Sequence, residues 1–189
     1  MRITVIICTF NRPRLVVHAI ESVLAQSISA GAFEIVVVDN SDDPSPTEQY
    51  VSRHSSAIRI RHHIEPIRGL SNARNAGTLL ALGPIVAFLD DDATARQGWL
   101  EALLAARAAF PDAGAIGGRV IPNWVEPRPP WMHDDLLGYF SIVDWGGETR
   151  TLREREWLAG ANISFRKADL IACAGFSRAL GRQGPDNVL

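Results

Sequence analysis

The chain has 189 residues, 47% of them hydrophobic and 21% charged, and a formal net charge of −2. That length is one domain with core enough to fold alone. The near-neutral balance excludes a bulk pull toward nucleic acid, so no nucleic-acid partner is expected, and no run of about 18 apolar residues is present to span a bilayer.

Ile3–Cys8 reads as a strand entering at once, because the apolar run behind Arg2 is too short for a signal peptide. Val16, Ala19, Ile20, Val23 and Leu24 then recur at helical spacing, with Asn11 and Pro13 near the start. Phe33–Val38 is a second buried strand, ending in the polar turn Asp39-Asn40-Ser41-Asp42-Asp43-Pro44. A short helix is expected over Thr47–Ser52 and a third strand over Ile58–His62. Ser71–Ala81 reads as a helix stopped by Gly83-Pro84. The apolar run Ile85–Leu89 follows as a strand buried on both faces, and Trp99–Phe110 as a helix stopped by Pro111. Ala115–Val120 is read as a further strand. Pro122–Gly147 holds four prolines and three tryptophans and is expected to be irregular. A strand is expected to resume over Trp157–Phe165, then a short helix over Lys167–Ala172. The alternation of strand and helix implies an α/β fold with right-handed crossovers and a parallel sheet.

Cys8 and Cys173 are the two cysteines. Both are read as buried reduced thiols, which suits a cytoplasmic location. His62 and His63 point to opposite faces of a strand, make a poor chelate and are read as surface residues.

Three strand ends carry polar clusters: Thr9-Phe10-Asn11-Arg12, Asp39-Asn40-Ser41 and Asp90-Asp91-Asp92. A parallel sheet opens all three on one edge, where α/β folds bind ligands. Taken alone, the aspartate triplet reads either as a site for Mn2+ or Mg2+ with phosphate oxygens completing the shell, or as a solvated acidic turn capping the next helix. The amides of Thr9–Asn11 and the guanidinium of Arg12 suit phosphate. Arg74 suits a diphosphate or a surface ion pair. Asp39 suits a base N–H or ribose hydroxyl, or a turn. The Trp124–Trp145 stretch suits either stacking on an acceptor sugar, with Trp131 the residue to test, or closure of a second core.

Thr4–Arg12, Ile35–Ser41, Gly69–Gly77, Phe88–Asp92 and Gly160–Phe165 together resemble the family 2 nucleotide-sugar glycosyltransferases. The resemblance implies a GT-A fold: a Rossmann-like, mostly parallel central sheet with helices on both faces and a smaller mixed-sheet acceptor part. It divides the chain into a nucleotide-sugar half, residues 1–120, and a partial acceptor half, residues 121–189. It implies transfer of a sugar, with inversion, from a nucleoside-diphosphate donor (a UDP-sugar first) to an acceptor hydroxyl on a saccharide or lipid-linked acceptor, as in cell-wall or polysaccharide biosynthesis. By the same resemblance Asp39 reads the nucleobase, and Thr9, Asn11, Arg12 and Arg74 contact the nucleotide. Asp90 and Asp91 serve the ribose and the metal's surroundings, and Asp92, last of the DXD-like triplet, holds Mn2+ or Mg2+.

The family's general base belongs to an acidic pair after the Gly175-Phe176 turn, about where this chain ends. Asp186 stands near a free end, and Asp134, Asp135 and Asp144 do not match the motif. The expectation is a truncated transferase whose base lies beyond Leu189. Peripheral attachment to the inner face of the membrane and self-association are left open. Two other functions stay in view: a sugar-nucleotide binding fragment without turnover, and a sugar-nucleotide nucleotidyltransferase. Against the latter, Cys8–Pro13 lacks the glycines that let backbone approach a triphosphate. A phospho-accepting receiver domain would need acids after the first strand, where Thr9 and Asn11 stand.

Overall fold

The computed structural model describes residues 1–54 and 59–180. Ile58, Asp186 and the rest of Gly184–Leu189 lie outside the described residues. Among those described, six strands and five helices follow in order: β1 (Ile3–Thr9), α1 (Pro13–Leu24), β2 (Phe33–Asp39), α2 (Ser45–His54), β3 (Arg59–Ile64), α3 (Leu70–Leu80), β4 (Ile85–Asp90), α4 (Trp99–Ala109), β5 (Ala115–Gly117), β6 (Asn162–Arg166) and α5 (Lys167–Ala172). The sheet order is β3-β2-β1-β4-β6-β5. The first four strands are parallel. β6 runs antiparallel to both β4 and β5.

Period-two alternation sorts the apolar side chains into two cores. Ile3, Val5, Ile7, Ile35 and Val37 pack with Val16, Ile20 and Val23 of α1, Val51 of α2, and Leu100 and Leu104 of α4. Ile6, Val36, Val38, Val86 and Phe88 face the other way, against Ala73 of α3 and Leu170 of α5. The result is a three-layer α/β/α molecule. Pro13 opens α1, where its missing N–H is no loss. Gly77 lets α3 approach the sheet: a Cβ there would stand 2.5 Å from Ile6 Cγ2.

The amino edge of the sheet is tied by one buried carboxylate. Glu34 on β2 accepts from Thr4 Oγ1 (2.8 Å), Arg61 Nη2 (3.0 Å) and the Leu82 amide (2.7 Å). Arg61 also donates to Leu80 O, so three strands and the α3–β4 turn share one network.

Two expected strands are shorter than their sequence suggests. β5 ends at Gly117, and Val120 instead forms an isolated antiparallel bridge with Val143. β6 begins at Asn162 rather than Trp157, because its ladder with β4 ends at the pair Leu89–Asn162. The segment between β5 and β6 is largely irregular, as its prolines imply, with a 3-10 turn over Asp134–Phe140. Among the described residues no helix is long and apolar enough to cross a membrane.

Candidate functional site

The chain leaves β1 toward β2 and β3, then crosses back to place β4 on the other side of β1. Loops after β1 and β4 therefore diverge, leaving a crevice at the carboxyl edge. The register brings Cys8 beside Asp90 and Thr9 beside Asp39.

Two sets of contacts fill that edge. On the α1 side, Thr9 donates its hydroxyl to Asp91 Oδ2 at 2.7 Å. Arg12 Nη1 lies 3.2 Å from Asp91 Oδ1 and 3.1 Å from Asp92 Oδ2, bridging the two carboxylates. On the α3 side, Arg74 Nη2 pairs with Asp90 Oδ1 at 3.3 Å. Burial pushes the carboxyl of Asp90 above its ordinary value; Arg74 opposes this and Asp92 adds to it. Burial likewise raises Asp91, against the Thr9 hydrogen bond and the Arg12 charge. Two guanidiniums thus face three carboxylates.

The carboxylates at this edge offer oxygen donors only. Among the described residues no group of three or more His, Cys, Asp or Glu side chains is arranged as a metal cage. Asp91 is buried beneath Thr9 and Arg12, whereas the side chains of Asp92 (55% exposed) and Asp90 (40%), each paired with one arginine, are open to solvent. One or two carboxylates suffice for Mg2+ or Mn2+, which take most of their oxygens from water and phosphate.

Asp39 is fully buried. Its Oδ1 accepts from the Ser41 amide at 2.8 Å, closing an Asx turn, and its Oδ2 meets His62 Nε2 at 3.2 Å. Burial raises its carboxyl, but hydrogen bonds from His62, Ser41 and Thr47 outweigh it and hold the group below its ordinary value. Asp39 thus closes a turn, while the amide at the start of α2 is met by Asp43, which accepts from Ser45 N at 3.0 Å. A ligand reaches the carboxylate only if the cover over it moves.

His62, expected at the surface, is turned inward against Asp39. The signal was the shared parity of Ile60 and His62, since Ile60 is buried. Asn11 adopts a left-handed conformation at φ 54° and fastens the β1 loop to the β2 loop. Its amide donates to Ser41 Oγ (2.7 Å), and its side chain exchanges hydrogen bonds with Asp42. Its N–H is thus engaged rather than free for phosphate. Two residues that the sequence did not single out stand beside it. Phe10 is exposed with the Arg68 guanidinium 5.3 Å from its ring centre, and Arg68 also pairs with Asp42. An exposed ring at a strand end was the available signal.

Trp131 is 60% exposed, and Trp124, Trp145 and Trp157 are each about 40% exposed. Asp134 and Asp144 are engaged by Arg128 and Arg119. Burial pushes the Cys8 thiol up to about 12, which makes it inert. Cys173, expected to be buried, is exposed: α5 stops at Ala172, and the chain turns away through the left-handed Ala174.

The profile of the family described as Glycosyl transferase family 2 matches residues 4–185. The chain is 31% identical to the glucosyl-dolichyl phosphate glucuronosyltransferase of Haloferax volcanii, over its whole length and 60% of that protein. It is 26% identical to the validoxylamine A glucosyltransferase of Streptomyces hygroscopicus subsp. jinggangensis, over 98% of this chain and 49% of that one. It therefore spans between half and three-fifths of the length of these relatives. Among solved structures, S. aureus TarS 1-349 in complex with UDP superposes with a TM-score of 0.70 at 20% identity, covering 92% of this chain and 49% of that one. The mannosyltransferase PcManGT from Pyrobaculum calidifontis, in complex with GDP-Man and Mn2+, gives 0.66 at 22% identity, with 93% and 47% covered. These likenesses establish the Rossmann-like GT-A architecture. With the profile matched over nearly all of its residues, the chain belongs to glycosyl transferase family 2.

Proposed function

We propose that the crevice between β1 and β4 binds a nucleoside-diphosphate sugar, and that the protein transfers the sugar with inversion to an acceptor hydroxyl. The observation that carries this reading is the convergence of Arg12, Arg74 and three carboxylates at the point where the strand order reverses. A UDP-sugar is the first donor to test, as TarS was solved with UDP. A lipid-linked saccharide is the first acceptor, given the name of the Haloferax relative. An acceptor of that kind would bring the protein to a membrane surface.

Departure of the diphosphate builds negative charge, and Arg12 and Arg74 stand where they offset it. Both are engaged by aspartates in the free protein, so phosphate exchanges with carboxylate for the same guanidiniums. Mn2+ or Mg2+, held by Asp92 with Asp90 beside it, supplies the remaining neutralisation when bound. Thr9 fixes Asp91, which keeps Arg12 at the mouth. Asp39 and His62 shape the floor of the nucleobase end, and the exposed faces of Phe10 and Trp131 are the stacking surfaces for base and acceptor.

Inversion requires a base for the acceptor hydroxyl. Among the acids of the segment between β5 and β6, Asp134 pairs with Arg128 and Asp144 with Arg119.

Calorimetry with UDP tests the reading. Affinity in Mn2+ should fall at least about tenfold in Asp92→Asn and on chelation, the loss expected when one close charge contact to a metal-bound phosphate is removed. Affinity unchanged by both would overturn the metal assignment, and failure to bind UDP would overturn the choice of donor.

A further inference from the structure

Arg74 sits in a slot built from parts of the chain far apart in sequence. Its guanidinium lies 5.7 Å from the centre of the Phe88 ring and 5.4 Å from that of Phe176. The two rings meet edge to face at 5.2 Å, and Phe165 stands edge-on to both. The backbone of Gly160 closes another side: a Cβ there would stand 2.5 Å from Arg74 Nη2. Only the Asp90 side of the slot carries an acid, and that contact is a single one at 3.3 Å to a partly exposed carboxylate. A lone pair of that kind holds a long side chain weakly. The aromatic walls therefore contribute much of what fixes the guanidinium in place.

Phe176 is itself fastened to the helix that carries Arg74. The Asn75 side chain accepts from the Phe176 amide at 2.8 Å and donates to the Phe176 carbonyl at 2.9 Å, across 101 residues. Gly175, at φ 71°, makes the turn possible, because a Cβ there would collide with Asn75 Oδ1. Neighbouring residues of α3 thus do two jobs: Asn75 clamps the turn after α5, and Arg74 rests on the ring that the clamp presents.

We infer that Phe176, clamped by Asn75, is a positioning residue that sets Arg74 against Asp90, so that diphosphate affinity at the strand ends depends on the turn after α5. This rests on the reading of those strand ends as a nucleoside-diphosphate site. Phe176 touches no donor itself; it acts through Arg74. Opposite sides of the slot give two independent ways to displace the same guanidinium. Phe176→Leu removes a wall, and Gly160→Ala pushes from the other side while leaving Phe176 and its clamp untouched. Phe176→Tyr keeps the ring, at a partly buried position that lines the open groove beside Thr78, Leu79 and Leu170.

The experiment is calorimetry of the 189-residue chain with UDP in Mn2+, paired with the side-chain N–H resonances of Arg74 in the free protein. Phe176→Leu and Gly160→Ala should each weaken UDP binding about tenfold, the scale of one lost cation–ring contact in a partly desolvated site. Each should also shift the Arg74 resonances, while Phe176→Tyr keeps both affinity and shifts near those of the unsubstituted chain. A general packing role for Phe176 would not be reproduced by Gly160→Ala. Unmoved Arg74 resonances in both variants overturn the inference, as does UDP affinity that stays unchanged when they move. Failure of the unsubstituted chain to bind UDP overturns the proposed function instead, and the resonances then still decide whether Phe176 places Arg74.

Discussion

Burial raises the carboxyls of Asp90 and Asp91 even with Arg74, Thr9 and Arg12 alongside, so the ionised pair opposes folding at neutral pH. A group whose folded pKa lies above its unfolded value binds its proton more tightly in the native state. Stability from this pair therefore grows as pH falls toward the raised values and is full below the ordinary carboxylate range. Asp39 has the opposite sign: its contribution is present above that range and is lost as pH falls through its lowered value. Asp90→Asn, measured by thermal unfolding at neutral pH in chelator, should raise Tm by about 2 °C, the shift expected from a fraction of a kcal/mol in a chain of this size. The gain should shrink as pH falls into the carboxylate range, and a lower Tm at neutral pH would show that Arg74 outweighs burial. The aspartate triplet was legible because three like charges at the end of a buried strand have no packing purpose. His62 was not, because alternation separates faces without saying that an acid lies behind one of them.

Among the elements, β2 carries a tie that its apolar neighbours conceal. Glu34 is fully buried and satisfied by Arg61, Thr4 and the Leu82 amide. Removing one partner of a buried ion pair leaves the other uncompensated, at about 3–5 kcal/mol. Glu34→Ala should show a loss on that scale in urea unfolding, and a loss under about 1 kcal/mol would mean that Arg61 simply swings into water. The elements of the first 110 residues were readable to within a residue or two at most ends, since each pairs a strong period with a polar or proline stop. β5 and β6 were less so. Their limits are set by which partner runs out, as at Leu89–Asn162, and Val120 found Val143 instead of a ladder. Propensity along one segment carries no information about where the opposing strand ends.

For the whole molecule, the alternation of strands and helices implied a parallel sheet, but not the order β3-β2-β1-β4 that puts the crevice beside β1. The reversal of strand order supplies the physical reason for a site there, and it is a property of crossovers rather than of any motif. Pro122–Gly147 was read as irregular and is largely so, apart from the 3-10 turn over Asp134–Phe140 and the bridge from Val143 to Val120. Of its tryptophans Trp131 is the most exposed, which no sequence pattern could show, because tryptophan buries large area wherever it is covered. Asn75 and Phe176 add a connection between distant parts of the chain that only the folded arrangement reveals. Crystals of the 189-residue chain soaked with UDP and Mn2+ test the central claim most directly. The diphosphate should lie in the β1–β4 crevice, with the cation on Asp92 and the phosphates drawing Arg12 away from the aspartates. Nucleotide density elsewhere on the molecule, or carboxylates of Asp90 and Asp92 turned away from a bound diphosphate, would contradict it.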